Sequence, residues 1–187
     1  FPARRVFMGN DQDQALIEDC QNGDRRALGS LVRRYERPIY NAAYRMLGTA
    51  DEAADVAQTT FLKAFENLHR YNPQYKFFSW IYRIAVNESI NQLNRRKRLE
   101  ELGDKEAASG PGPDASFDAD QVGERLQEAL LTLSQDHRAV IVLRHFTEIS
   151  YREIGEILQI PEKTVKSRLF SARKAMKAHL EREGYAP

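Results

Sequence analysis

The chain has 187 residues, a formal net charge of +1 and one cysteine, and it is long enough for one large or two small domains. The near-zero net charge excludes nucleic-acid binding through a general positive field, so such affinity must come from local patches. Cys20 has no second cysteine for an internal disulfide and the four histidines lack metal-ligand spacing, so we expect no metal and no cofactor.

Targeting signals are not visible in the sequence. No apolar run is long enough to span a membrane and no signal peptide is apparent, so we expect a cytoplasmic protein without membrane insertion. Residues 1–10 carry no hydrophobic period, and whether they are native, with Met8 as an alternative start, stays open.

Every strong hydrophobic period before residue 98 is helical. A short helix is predicted over 11–21, and a long helix follows Gly23-Asp24 and ends at Gly48, a residue type that favours a helix C-cap. Pro38 within the long helix predicts a kink or a break. A third helix, capped by Thr49 or Asp51, is predicted to run to Leu68.

The third helix carries a polar and mostly acidic face, which we name the acidic face. A solvated surface is the simpler interpretation of such a face. An acidic helix near DNA-binding segments repels DNA, however, so a protein partner is the alternative. The candidate partner-binding residues are Asp51, Asp55, Gln58 and Thr59.

An aromatic loop over 70–78 leads into a fourth helix predicted from Ser79 to Arg98. Tyr82, Val86, Ile90 and Leu93 form its buried stripe. Beside that stripe runs a row that we name the amide ridge: Trp80, Arg83, Asn87, Asn91, Asn94 and Arg98. Asparagine is a weak helix former, so three on one row point to a function.

Single-stranded or distorted DNA fits the loop and the amide ridge. Amides and arginine hydrogen-bond to base edges, and aromatic rings stack on exposed bases. Taken singly, each phenylalanine of the loop is better explained as core packing; the combination favours DNA. The candidate residues are Tyr75, Phe77, Phe78, Trp80, Arg83, Asn87, Asn91 and Arg95.

Residues 98–120 are acidic, contain Gly110-Pro111-Gly112-Pro113 and hold one large apolar residue, Phe117. Such a segment is unable to bury a core and is predicted to be a flexible linker. We therefore expect an all-α fold with two small helical domains, 11–97 and 121–187.

The second domain is predicted to hold helices over 122–133 and 134–146, followed by a helix-turn-helix over 150–180. Ser150 and Glu153 form an S-x-x-E capping box, and Ile160-Pro161 separates the two helices of the motif. The second of them has one narrow apolar stripe: Val165, Leu169, Ala172, Met176 and Leu180.

The opposite side of that last helix is basic, with one acid at its start, Glu162, and none again until Glu181. A merely solvated helix usually alternates charge sign, so we favour binding in the major groove of duplex DNA. We name this side the recognition face: Lys163, Lys166, Ser167, Arg168, Phe170, Ser171, Arg173 and Lys174.

Three segments in order resemble the extracytoplasmic-function (ECF) sigma factors, two-domain initiation subunits of bacterial RNA polymerase. DEAADVAQTTFLKAF over 51–65 resembles their helix that binds the clamp helices of the largest polymerase subunit. FFSWIYRIAVNESINQLNRRKR over 77–98 resembles their segment that melts and reads the −10 element. SYREIGEILQIPEKTVKSRLFSARKAM over 150–176 resembles their helix-turn-helix that reads the −35 element.

The resemblance implies specific roles for individual residues. Asp55 and Gln58 would contact core polymerase; Thr59 stands where the family often has Glu. The loop before Trp80, with Asn87, would hold a flipped −10 base. Lys166, Ser167, Phe170 and Ser171 would face −35 bases, with Arg168 and Arg173 on phosphates; Ser171 replaces an Arg found in some members. The acidic linker would lie in a basic polymerase channel, and an anti-sigma factor is expected as a further partner.

Two other classes of protein stay open at this point. A plain helix-turn-helix regulator with an N-terminal sensor or dimerisation domain would have a ligand pocket or dimer seam within 11–98. A nuclease needs clustered carboxylates for metal, and Asp51, Glu52 and Asp55 are the only close set. Because there is no nucleophile–base pair and no phosphate loop, we expect no catalytic residues and no enzyme.

Overall fold

A computed structural model describes residues 10–102, 121–147 and 149–184, and this part of the chain is helical and contains no strand. Four helices come first: α1 (Asn10–Gln21), α2 (Arg25–Leu47), α3 (Ala50–Glu66) and α4 (Phe77–Glu101). Four follow: α5 (Gln121–Leu131), α6 (Gln135–Ile141), α7 (Tyr151–Leu158) and α8 (Glu162–Arg182). The predicted all-α fold is confirmed.

The first four helices form a bundle around the buried side of α2. Leu31, Ile39 and Met46 of α2 are fully buried, as the helical period of the sequence predicts. Gly48 ends this helix in the left-handed conformation with φ +86°, and its backbone N–H donates to the Tyr44 carbonyl. The predicted C-cap at this glycine is therefore confirmed.

A break at Pro38 is not found, because α2 continues through this residue from Arg25 to Leu47. Proline inside a helix costs about 3 kcal/mol, mainly through one lost hydrogen bond and a clash with the preceding turn. The apolar residues that α2 buries on both sides of Pro38, among them Tyr35 and Ile39, outweigh that cost.

Two boundaries differ from the sequence prediction. Helix α4 begins at Phe77, two residues early, and it continues to Glu101, so residues 98–101 of the predicted linker are helical. Residues 103–120, the rest of that linker, lie outside the described part of the chain. The predicted helix over 134–146 is α6 followed by a π-helical turn, Val142–Phe146.

The two groups of helices contact each other through the C-terminal end of α2. The buried Arg138 of α6 donates to the carbonyl of Met46 and also to those of Leu130, Leu131 and Leu133. These are carbonyl groups at the C-terminal ends of α2 and α5, where negative dipole charge stabilises a guanidinium.

Further contacts surround this buried arginine. The Gln127 side-chain amide donates to the Tyr44 and Arg45 carbonyls at 3.2 and 3.5 Å, and Arg45 donates back to Gln127 at 3.0 Å. Leu131 of α5 packs over Gly48, where a Cβ would lie 2.7 Å from Leu131 Cδ1, and the left-handed backbone at this position independently favours glycine. Lys76 and Glu153 add an ion pair of 2.6 Å between the groups.

Candidate nucleic-acid and protein interfaces

The capping box and a close helix contact build the helix-turn-helix. The Ser150 hydroxyl accepts from the Glu153 N–H at 3.3 Å, and Glu153 accepts from the Ser150 N–H at 3.1 Å, which confirms the predicted cap. A Cβ on Gly155 would lie 2.8 Å from the Ile160 carbonyl, so only glycine lets α7 approach the turn. The sequence interpretation missed Gly155, although a lone glycine in a helical pattern is a known signal of close approach.

The recognition face lies where the helical period places it. Val165, Leu169, Ala172 and Met176 are buried against α6 and α7, and Leu180 is half-buried. On the opposite side Arg168 is half-buried and the other members are exposed: Lys163, Lys166, Ser167, Phe170, Ser171, Arg173 and Lys174. Phe170 is 72% exposed, so its ring lies in solvent among the cations of this face.

Three cations of the recognition face are held by neighbours. Lys166 pairs with Glu162 at 2.7 Å, and this hydrogen bond raises the pKa of Lys166, so the ammonium stays charged. Arg168 pairs with Asp136 at 2.7 Å, and the Arg173 Nε–H donates to His145 Nε2 at 3.2 Å. Burial, then Arg173 and Arg144, lower the pKa of His145, which keeps this ring neutral and able to accept.

The amide ridge is also presented on one side of its helix. Asn87, Asn91, Asn94, Arg95 and Arg98 are exposed, and Trp80 and Arg83 are half-buried. Tyr82 and Val86 are each 1% exposed, while Ile90 and Leu93 are half-buried, so the predicted inner stripe is confirmed at its start and partly solvated towards its end.

Two of the predicted DNA-facing aromatics belong to the core instead. Phe77 is 1% exposed and packs on Tyr35, Tyr71 and Trp80 with ring centres 5.4 to 5.7 Å apart. Phe78 is 8% exposed and packs edge-on against Tyr82. The expectation that these two rings face DNA is corrected: they are the first residues of α4, and burying them anchors that helix to the bundle.

The two remaining aromatic residues, Tyr75 and Trp80, differ in how far they are exposed. Tyr75 is 54% exposed and Trp80 is half-buried, with one side of its indole against Tyr71 at 5.5 Å and Phe77 at 5.7 Å. Tyr75 and part of the Trp80 ring are therefore accessible from solvent, and the buried rings of Tyr71 and Phe77 pack against Trp80.

The acidic face of α3 is exposed beside an apolar residue that the sequence interpretation did not include. Asp51, Asp55 and Gln58 are exposed and Thr59 is half-buried. Leu62, one turn further along the same side, is 57% exposed. Glu52 points elsewhere and accepts from Thr49, Gln92 and Arg96, so its carboxylate joins α3 to α4.

Comparison with known families assigns both groups of helices. Sigma-70 region 2 matches residues 31–99, and Sigma-70, region 4, matches residues 123–176. The part of the chain that the structure describes has no helix both long and apolar enough to cross a membrane.

Two characterised relatives are similar over almost their whole length. The ECF RNA polymerase sigma factor SigW of Bacillus subtilis is 35% identical over 177 residues, covering 88% of this chain and 94% of SigW. The RNA polymerase sigma-H factor of Pseudomonas aeruginosa is 33% identical over 187 residues, covering 94% and 97%.

Two solved complexes contain a chain of similar fold. CnrH bound to the cytosolic domain of CnrY has a TM-score of 0.69 at 27% identity, covering 91% of this chain and 98% of CnrH. The sigma factor RpoE bound to the anti-sigma factor NepR, from Bartonella quintana, has a TM-score of 0.65 at 25% identity, covering 82% and 96%.

Proposed function

The chain belongs to the ECF family of RNA polymerase sigma factors, and on that premise we propose a division of promoter recognition among the three surfaces described above. As an alternative sigma factor it directs promoter recognition. We assign residues 11–97 to binding of core polymerase and the −10 element, 98–120 to an acidic linker, and 121–187 to binding of the −35 element.

The recognition face reads duplex −35 DNA. Residues near the start of α8, Lys166 and Ser167 among them, reach base edges, and Phe170 offers apolar contact to a thymine methyl group. Arg168, Arg173 and Lys174 bind phosphates. Since Asp136 and His145 already hold the two arginines, less side-chain entropy is lost on binding DNA.

The melted strand of the −10 element binds the loop and the amide ridge. Tyr75 and Trp80 stack on exposed bases, while Arg83, Asn87 and Asn91 hydrogen-bond to base edges that a duplex would hide. Arg95 neutralises backbone phosphate at the far end of α4. This surface therefore stabilises strands only after they separate, which favours opening.

Core polymerase binds the acidic face of α3 through the clamp helices of its largest subunit. Asp55 and Gln58 provide the polar contacts, with Asp51 and Thr59 at their sides, and Leu62 provides an exposed apolar contact next to them. An acidic, partly apolar surface fits a protein partner and repels nucleic acid, which keeps α3 separate from the DNA path.

The remaining assignments follow from this partnership. The chain acts where RNA polymerase acts, in the cytoplasm, and it needs no catalytic residue, metal or cofactor because the polymerase supplies the chemistry. An anti-sigma factor is a further partner, since CnrH and RpoE, both of similar fold, are bound to the cytosolic domain of CnrY and to the anti-sigma factor NepR.

The observation that carries this proposal is that three exposed surfaces of different chemistry lie on one chain: a basic helix face, an amide and aromatic ridge, and an acidic face. The test is selection of DNA from a random library, with the purified chain alone and with bacterial core polymerase added. We expect two sequence blocks at constant spacing, selected only when polymerase is present.

Two outcomes would contradict the proposal. One block selected by the chain alone would indicate a plain helix-turn-helix regulator, in which the first four helices serve sensing or dimerisation. Metal-dependent cleavage of single-stranded DNA by the chain alone would indicate a nuclease.

A further inference from the structure

The segment before α4 is a closed turn held by its own backbone. The Tyr75 N–H donates to the Asn72 carbonyl at 3.1 Å, and the Gln74 N–H donates to Asn72 Oδ1 at 3.0 Å. Pro73 follows Asn72 and limits the backbone of the turn before any ligand arrives. Residues 72–75 therefore form a compact β-turn on the surface.

One buried residue ties this turn to the aromatic cluster. Tyr71 is 8% exposed, and its hydroxyl donates to the Tyr75 carbonyl at 2.5 Å. Its ring lies 5.5 Å from Trp80 and 5.7 Å from Phe77. Burial, and to a lesser extent Asp13, raise the pKa of Tyr71, so the hydroxyl remains a donor throughout the physiological range.

We propose that Tyr71 is a positioning residue of the melted-strand site, because its hydroxyl fixes the turn that carries Tyr75 while its ring supports Trp80. The two exposed stacking groups are then held in one geometry before DNA binds. A preformed site spends less of its binding energy on ordering side chains and discriminates more sharply between bases. This inference rests on the proposed function of Tyr75 and Trp80.

A purely structural role is the alternative, and the same cluster provides a matched control. The ring of Tyr35 lies 5.4 Å from Phe77, and its buried hydroxyl donates to Asp13 of α1. The Tyr35 bond joins two helices and does not reach the turn. Tyr35→Phe and Tyr71→Phe each remove one hydroxyl from one aromatic cluster, but only Tyr71→Phe releases the Tyr75 carbonyl.

The experiment measures open-complex formation by holoenzyme reconstituted from full-length chain and core polymerase. One position of the melted −10 strand is varied. It is the position at which the effect of base identity on opening changes most in the Trp80→Ala variant. Promoters carry each of the four bases, or an abasic residue, at that position. Urea midpoints of the isolated variants are measured in parallel.

The base ratio is the extent of open-complex formation on the best base divided by that on the worst base. We expect Tyr71→Phe to reduce this ratio about fivefold, the loss expected for one hydrogen bond. On the abasic template, open-complex formation by Tyr71→Phe should equal that of wild type, because no base remains to be held. Asn72→Ala, which loosens the turn from an exposed residue, should change the ratio in the same direction. Tyr35→Phe should lower the urea midpoint and leave the base ratio unchanged.

Several results would overturn the inference. Equal loss by Tyr71→Phe on all templates, with a lowered urea midpoint, would make it a packing residue like Tyr35. Wild-type behaviour of both Tyr71→Phe and Asn72→Ala would show that the turn has no part in base selection. If Trp80→Ala weakens opening at no position, the proposed −10 site is wrong, and the role of Tyr71 falls with it.

Discussion

The two surfaces that we propose bind DNA are built in different ways. The recognition face lies on one helix, and every residue of it follows from the buried stripe of Val165 and Leu169 on the other side. The melted-strand surface combines a turn, the start of α4 and the side of that helix. Its exposed rings, Tyr75 and Trp80, depend on the buried rings of Tyr71 and Phe77.

The two surfaces also differ in charge and in how their side chains are held. On α8, cations are kept in place by polar contacts to Glu162, Asp136 and His145. On the melted-strand surface the amides and the rings of Tyr75 and Trp80 gain little from phosphate, and the phosphate contact is assigned to Arg95 alone. Binding of duplex DNA thus depends on charge along one helix, whereas binding of separated strands depends on stacking groups at fixed positions.

Trp80→Ala should have the largest effect, because it removes a stacking partner and also exposes the cluster behind it. We expect a loss in open-complex formation toward the upper end of roughly 1–3 kcal/mol, with −35 duplex binding unchanged. A pre-melted −10 bubble should rescue only part of this loss. Wild-type behaviour on both templates, or an unfolded variant, would mean that Trp80 is core packing and that the two surfaces differ less than proposed.

Asp55→Arg combined with Gln58→Ala tests a second surface built on a single helix. We expect core polymerase affinity to fall by about 2 kcal/mol, as at a central contact of an interface, while the urea midpoint stays at the wild-type value. Lys63→Ala is the matched control, because Lys63 is exposed on α3 but pairs with Glu88 at 2.6 Å. Unchanged polymerase binding in a pull-down would remove the acidic face from the interface.

Lys166→Ala separates base reading from phosphate binding on the recognition face. If Lys166 reads a base, we expect about 1–2 kcal/mol less discrimination at one −35 position. If it contacts only phosphate, affinity should fall equally for all sequences and the loss should shrink at high salt. Lys177→Ala, further along α8 and paired with Glu181, serves as the control.

Glu153→Ala and Lys76→Met should have the smallest effects and together test the contact between the two groups of helices, because Ala, unlike Gln, also removes the acceptor of the capping box. Partial burial raises the pKa of Glu153, but bonds from Lys76 and Ser150 outweigh this and hold it below the usual range. Its stabilisation, about 1 kcal/mol as for a helix cap, is therefore present at neutral pH and is lost as the pH falls below about 4. Urea unfolding of wild type and variant at pH 7 and pH 3.5 measures it.

Lys76→Met is the companion variant for that comparison. It leaves the capping box intact and removes the ion pair to Glu153 together with the ammonium that lies 5.7 Å from the centre of the Phe78 ring, so its stability loss should stay below about 1 kcal/mol, as for an exposed pair. An equal loss for Glu153→Ala and Lys76→Met would assign the stabilisation to the contact between the groups instead of to the cap.

The sequence alone determined the surfaces that lie on single helices. The stripe of Val165, Leu169, Ala172 and Met176 fixes which side of α8 is buried, because a helix turns about 100° per residue, and the recognition face follows. The same reasoning placed Asp55 and Gln58 on the exposed side of α3 and Asn87 and Asn91 on that of α4. The capping box at Ser150 and the Gly48 C-cap were also predictable, because both depend on residues adjacent in the chain.

Only the tertiary structure decided which aromatic rings are buried and where the groups of helices meet. Four aromatic residues are close together in sequence, yet two are in the core, Phe77 and Phe78, and two are accessible, Tyr75 and Trp80. The difference arises because Tyr35 of α2 and Tyr71 pack against Phe77, while Phe78 packs against Tyr82. In the sequence, Arg138 looks like an ordinary charged residue of a helix. Its burial in the structure depends on carbonyl groups that α2 and α5 contribute. Local periodicity specifies the face of one helix, but burial beyond that face depends on contacts between residues far apart in the chain.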